Sequence, residues 1–281
     1  MFNKIFAALL CILGITSAFA QDNNSMLWSV SGNGLKDTSY LYGTIHMLCE
    51  SDFVVKAKVK QAFNKSEQLF LEIDMDDEKE MQAMMASVNG EKPLTEILTP
   101  EQQKRLDEKL QTDLGMNLQA VNSYSLNTIT ALFAMNSLSC EQIKSYEQEF
   151  ITMAQKNEIE VKGLEKVAFQ LECLNQSAST EKTFTDIFAE ENAGVLDSLV
   201  SLYTAEDFEG MQSFFSQSDY MDANSREWLL VKRNNNWIKK MPKIMKKKPT
   251  FFAVGAAHLL DEIGLVAQLQ KLGYTVSPIF Q

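Results

Sequence analysis

Histidine is scarce in this chain. Its 281 residues hold two, His46 and His258, so any imidazole chemistry must use one or both. Arginine is limited to Arg105, Arg226 and Arg233, against 37 acidic residues and a formal net charge of -11. That balance argues against nucleic acid as the main partner, because a phosphate backbone wants a basic surface. The lysine clusters at Lys239–Lys240 and Lys246–Lys247–Lys248 read as a solvated helix end before a strand. Cysteine is also sparse, at four, and no Cys-x-x-Cys pair occurs. This removes a zinc knuckle and a thioredoxin-like centre. Beyond residue 20, no apolar run reaches the roughly 18 residues that a membrane helix needs. The longest candidate, residues 251–260, is interrupted by Gly255 and His258.

What is present begins with a leader. Lys4 supplies a positive start, an apolar run covers residues 5–15, and Ala18-Phe19-Ala20 matches an Ala-x-Ala cleavage site. The pattern is that of a secretory signal peptide over residues 1–20, with one mature domain over 21–281. Export to the periplasm or the exterior follows as an expectation, with no membrane span after cleavage. It permits a disulfide. With Cys11 in the leader, Cys140–Cys173 is the expected pair, because both lie outside the histidine turns; Cys49 is then a free thiol.

An apolar fraction of 45% is enough for a sizeable core. Strands are expected at residues 27–30, 38–42, 68–73, 160–163, 250–254 and 274–279, and helices at 52–64 and 259–272. Between residues 76 and 156 the pattern is helical, punctuated by Pro93 and Pro100. Helices resume over 168–174, 184–203, 205–215 and 225–245. Few strands near the ends with many helices between them predict an α/β or α+β fold: a mixed central sheet surrounded by helices. The order strand, Gly-x-x-His, helix, strand occurs early and again late, suggesting two related halves.

Each histidine closes a Gly-x-x-His turn at a strand end, in Gly43-Thr44-Ile45-His46 and Gly255-Ala256-Ala257-His258. Strand ends are where α/β sheets place ligands. Two carboxylates, Glu72 and Glu165, end strands of similar apolar character. Two imidazoles with one or two carboxylates suit zinc, manganese or cobalt. A carboxylate not bound to metal can serve as general base. A structural salt bridge is the competing reading for each glutamate. Arg233 either clamps a substrate carboxylate or pairs with Glu165.

These motifs, in this order, resemble the TraB/GumN family, which also takes in the PrgY proteins and the Tiki ectodomains. The resemblance rests on Leu27-Trp28, on Ser39 through His46, on Leu71-Glu72-Ile73-Asp74 and on Gly163-Leu164-Glu165. It continues through Arg233-Asn234 with Trp237 and through Phe252 to Leu259. It implies a mixed sheet wrapped by helices. It also implies a metal-dependent protease-like site using manganese or cobalt, with His46, His258, Glu72 and Glu165 as ligands or base and Arg233 beside them. One departure is that Leu260-Asp261-Glu262-Ile263 separates the last motif from Gly264. The expected activity is hydrolysis of a peptide or small amide. A non-catalytic peptide-binding or sequestering protein and a purely structural envelope protein are the alternatives.

Overall fold

The structure is a computed structural model and describes residues 24–138, 140–188, 194–217 and 221–280. The leader expected at residues 1–20 lies outside them. The strands are β1 (Leu27–Ser31), β2 (Ser39–Thr44), β3 (Leu48–Cys49), β4 (Gln68–Ile73), β5 (Ile143–Lys144), β6 (Glu160–Glu165), β7 (Thr250–Gly255) and β8 (Thr275–Pro278). Six form one sheet in the order β6-β4-β7-β2-β1-β8, and β3 with β5 forms a separate two-stranded ribbon. The mixed α/β architecture is as the sequence predicts. Strands β6, β4, β7 and β2 run parallel, while β1 is antiparallel to both β2 and β8.

Parallel strands covered on both faces are apolar throughout rather than alternating. Every residue of β2 and β4 is buried. Successive side chains on β7 point to opposite faces. Phe251 meets Phe63 and Phe150, on helices Ala57–Asn64 and Tyr146–Lys156, and Phe252 meets Phe70. A second, smaller core lies among the helices of the middle segment, built from Leu94, Leu106, Leu110, Val121, Ile129 and Phe184.

Three local differences from the sequence expectation bear on the site. The disulfide joins Cys49 to Cys140, with Cα atoms 5.8 Å apart, and Cys173 is a buried free thiol. The expected Cys140–Cys173 bridge is therefore overturned. The cause is the β3–β5 ribbon, which pairs Cys49 with Ile143 and so brings Cys140 alongside. Next, the helix expected over 259–272 is confined to Leu265–Lys271, and His258 sits in a 3-10 turn at Ala256–Leu259. Asp261 takes a left-handed φ of 63° and pairs with Arg226 at 3.0 Å, which stops the turn from propagating as an α-helix. Last, the segment expected as helix over 225–245 contains a π-helical stretch at Glu227–Val231, directly before the helix Lys232–Trp237. Such bulges re-aim the residues that follow them. Here those residues are Arg233, Asn234 and Trp237, all buried.

Candidate functional site

The two Gly-x-x-His turns are neighbours because β2 and β7 are adjacent and parallel, with Gly43 opposite Val254 and Thr44 opposite Gly255. β4 lies on the other side of β7 and carries Glu72 to the same edge, and β6 beyond it carries Glu165. The carboxyl ends of four parallel strands thus meet at one crevice, where open α/β sheets bind ligands.

Neither turn glycine needs a positive φ. Each is required for space. A Cβ on Gly43 would lie 3.0 Å from Ala256 Cα, so its absence lets the two turns pack together. A Cβ on Gly255 would lie 3.3 Å from Glu72 Oε1, 3.6 Å from His258 Cδ2 and 3.7 Å from His46 Nε2. Three polar side chains therefore surround the space that a side chain at position 255 would fill. His258 Nε2 stands 3.7 Å from Glu72 Oε1.

Each imidazole is oriented by a partner on its other nitrogen. Asn234 Nδ2 donates to the carbonyls of His258 and Ile263, at 3.2 and 2.9 Å. Its Oδ1 must then accept from His258 Nδ1, at 2.7 Å. This leaves the lone pair on His258 Nε2. His46 Nδ1 lies 3.0 Å from Glu147 Oε1, which also accepts from the Thr44 hydroxyl at 2.8 Å. Glu147 Oε2 accepts from Ser145 at 2.7 Å. With Glu147 saturated in this way, His46 donates from Nδ1 and turns Nε2 toward Gly255. A carboxylate or amide holding the far nitrogen of a histidine is the usual support of a metal-binding imidazole.

The sequence reading missed Glu147. An acidic residue in the first turn after a Ser cap is ordinary helix chemistry, and nothing local distinguishes it. Its partner lies 101 residues away and is brought close by the β3–β5 ribbon, which follows His46 directly and precedes Ser145 directly.

Arg233 organises the buried side of the crevice. Its Nε and Nη2 donate to Glu165 Oε1 at 2.9 and 2.6 Å, and Nη2 also donates to Glu72 Oε2 at 2.5 Å. Nη1 stands 3.1 Å from His258 Nε2. The Trp237 indole donates to Glu165 Oε2 at 2.7 Å, so both Glu165 oxygens are engaged and its side chain is 0% exposed. Glu165 is thus at the site but behind the arginine. Glu72 Oε2 also accepts from Gln170 at 3.0 Å, while Oε1 accepts from the Gly255 N–H at 2.8 Å and faces the crevice.

These contacts set the charges. Burial opposes ionisation of Glu72, but Arg233 and His46, with the Gly255 N–H, outweigh it and hold the carboxyl well below the usual range. Burial, helped by the charges on Arg233 and His46 and opposed by Glu72, drives His258 down to about 3, so it is neutral. The hydrogen bond to Glu147 raises His46 to about 9 against the pull of desolvation, so a metal would have to displace a proton from Nε2. The His46 side chain is 63% exposed at the rim, where water screens the pair.

The donor chemistry fits a divalent ion: two supported imidazoles and an ionised carboxylate around a space kept open by Gly255. Glu165 does not fit as a ligand, since its side chain is fully buried behind Arg233, which with Trp237 engages both of its oxygens. The arrangement is open rather than closed. Among the described residues, no three His, Cys, Asp or Glu side chains stand grouped closely enough to hold an ion as placed. The crevice continues into a cavity of about 180 Å³ bordered by Thr44, His46, Glu72, His258, Met211 and Phe215.

The chain is 24% identical to the zebrafish (Danio rerio) protein "Metalloprotease TIKI2" over 91% of its own length and 61% of that protein. It is 24% identical to "Metalloprotease TIKI1" of the same organism, over 93% of the chain and 64% of the relative. It is also 26% identical to "Metalloprotease TIKI homolog" of Nematostella vectensis, over 90% and 66%. The chain thus spans a little over three-fifths of the zebrafish relatives' length. No solved structure matches it. The model of the TraB/PrgY/gumN family matches residues 26–278, nearly all of the described structure, and the chain belongs to that family.

Proposed function

We propose that this protein is an exported, divalent-metal-dependent hydrolase of peptide or amide bonds. The observation that carries the reading is the convergence of His46 Nε2, His258 and Glu72 Oε1 on the space beside Gly255, each imidazole with its far nitrogen held. The metalloprotease names of the relatives support it. His46, His258 and Glu72 are the residues that would hold manganese, cobalt or zinc. A metal so held supplies a water of lowered pKa and polarises a carbonyl.

The chain's own groups divide the remaining work. Glu72 is the ionised carboxylate whose Oε1 faces the crevice as a ligand. Arg233 and the Gly255 N–H fix its two oxygens on opposite sides. Asn234 keeps the proton of His258 on Nδ1. Glu165 fixes Arg233 and does not reach the crevice as a base. Export rests on the Lys4, apolar-run and Ala-x-Ala pattern. Among the described residues, no helix is long and apolar enough to cross a membrane.

A second reading, a non-catalytic peptide-binding protein, is favoured by one contact. Arg233 Nη1 already occupies the lone-pair side of His258 Nε2. The two are separated by a peptide-library cleavage assay on untagged protein, with chelator and then with manganese, cobalt or zinc restored. Hydrolysis should depend on metal and be abolished in His46→Ala. Glu147→Gln should retain the fold but weaken metal affinity by about 10–100-fold, the usual cost of losing such a partner. Peptide binding with no cleavage under any metal would count for the second reading, and cleavage indifferent to chelator would contradict both.

A further inference from the structure

The cavity beside the site is chemically divided. Its floor carries His46, Glu72 and His258; its wall carries Ile45, Leu199, Met211 and Phe215. Ile45 lies in the first histidine turn, Leu199 on the helix Val195–Thr204, and Met211 and Phe215 on Phe208–Phe215; the two helices pack together as a hairpin over the crevice. The hairpin is fixed in place. Tyr203 donates its hydroxyl to the Gly43 carbonyl at 3.0 Å, beneath the first histidine turn. Glu206, between the two helices, bonds Lys56 and Lys58 at 2.7 and 2.9 Å and accepts from the Met26 N–H at 3.4 Å. Met211 is buried, while Leu199 and Phe215 are half-buried and border the opening. Apolar groups left partly open beside a cluster of charged ones are what an amphipathic ligand requires.

Resting on the hydrolase reading above, we infer that Leu199, Met211 and Phe215 form a subsite for one apolar side chain of the substrate, next to the bond that is cut. The whole cavity, the space beside His46, Glu72 and His258 included, is about 180 Å³, which sets the upper limit on the size. It is close to the roughly 150 Å³ of a cavity that takes one benzene ring. The occupant is therefore a single Leu, Met or Phe side chain. The wall offers no polar side chain to compensate a buried charge, and burying one unpaired is costly. A Gly or Ala would leave the wall wet and gain little. Pocket discrimination of this kind is worth about 10–200-fold per methylene-scale difference.

Two measurements on the full chain test this. One is a cleavage profile, in the presence of metal, over a peptide series varied at the positions flanking the cut. The other is chemical-shift titration of metal-free protein, isotope-labelled at methionine methyls, with N-acetyl-leucinamide, N-acetyl-glycinamide and N-acetyl-aspartamide. Leu, Met or Phe should be preferred to Gly or Asp by about 10-fold or more at one flanking position. N-acetyl-leucinamide alone should shift Met211. Phe215→Trp should move the preference toward Ala, with a thermal melt confirming the fold. Leu199→Ser, the milder variant at the opening, should flatten the profile. Leucinamide binding at Met211 without any cleavage would leave the subsite standing and remove the hydrolase reading. Metal-dependent cleavage with a flat flanking profile, or Phe215→Trp slowing every peptide equally, would overturn the subsite. So would the absence of both cleavage preference and Met211 shifts.

Discussion

Replacement of Arg233 by methionine is expected to lower the unfolding free energy by about 3–5 kcal/mol, the range for breaking a buried ion pair by removing one partner. The guanidinium is 8% exposed, between Glu72 at 7% and Glu165 at 0%. Without it, two carboxyl groups face each other out of water with no cation between them. Burial already pushes the Glu165 carboxyl upward, with Arg233 as the main counterweight, so protonation would relieve only part of the cost. Urea unfolding at neutral pH measures the loss. Arg233→Met combined with Glu165→Met should recover part of it, because an apolar pair of similar volume removes one of the stranded charges. A single-variant loss under about 1 kcal/mol, typical of exposed pairs, would mean that the triad is solvated.

Reduction of the Cys49–Cys140 bridge is the other large effect. The bridge spans a sequence separation of 91, and closing a loop of that length is worth about 4–5 kcal/mol in the chain-entropy account. The consequence is local as well as global. The bridge braces the ribbon in which Leu48 pairs with Lys144. That ribbon starts two residues after His46 and ends just before Ser145 and Glu147. Cys140→Ser should therefore lower thermal stability and also weaken metal binding beyond what partial unfolding explains. The test is paired melts with and without reductant, followed by metal titration well below the melting temperature. Peptide mapping that finds Cys140 joined to Cys173 would contradict the geometry.

Much of the arrangement was legible in the sequence, for definite reasons. Gln68–Ile73 carries the apolar run Leu69-Phe70-Leu71 and Ile73 between polar flanks, so its strand could be read with its observed limits. The two Gly-x-x-His turns stood out because they use every histidine in the chain. Their convergence, with Glu72 beside them, follows from β2, β7 and β4 being parallel neighbours. Other features carry no periodic or compositional trace. The ribbon has two residues per strand, too short to alternate visibly, and so the disulfide and the Glu147 support were both missed. The short turn after His258 reads as a helix because residues 259–272 are apolar at helical spacing. It is overridden by Asp261 in the left-handed region and by Asn234 drawing in the His258 and Ile263 carbonyls. Glu72 and Glu165 looked alike in sequence, each ending an apolar strand. The difference between them lies in Trp237 and Arg233, which seal one and leave an oxygen of the other facing the crevice.

The central claim is that His46, His258 and Glu72, without Glu165, make one divalent-metal site. Its most direct measurement is metal stoichiometry by elemental analysis of protein purified without a histidine tag and dialysed against manganese, cobalt or zinc. One equivalent should be retained by the wild type and by Glu165→Gln, and lost in His46→Ala, His258→Ala and Glu72→Gln. Wild-type protein that holds no metal, or metal that survives in both histidine variants, would contradict it.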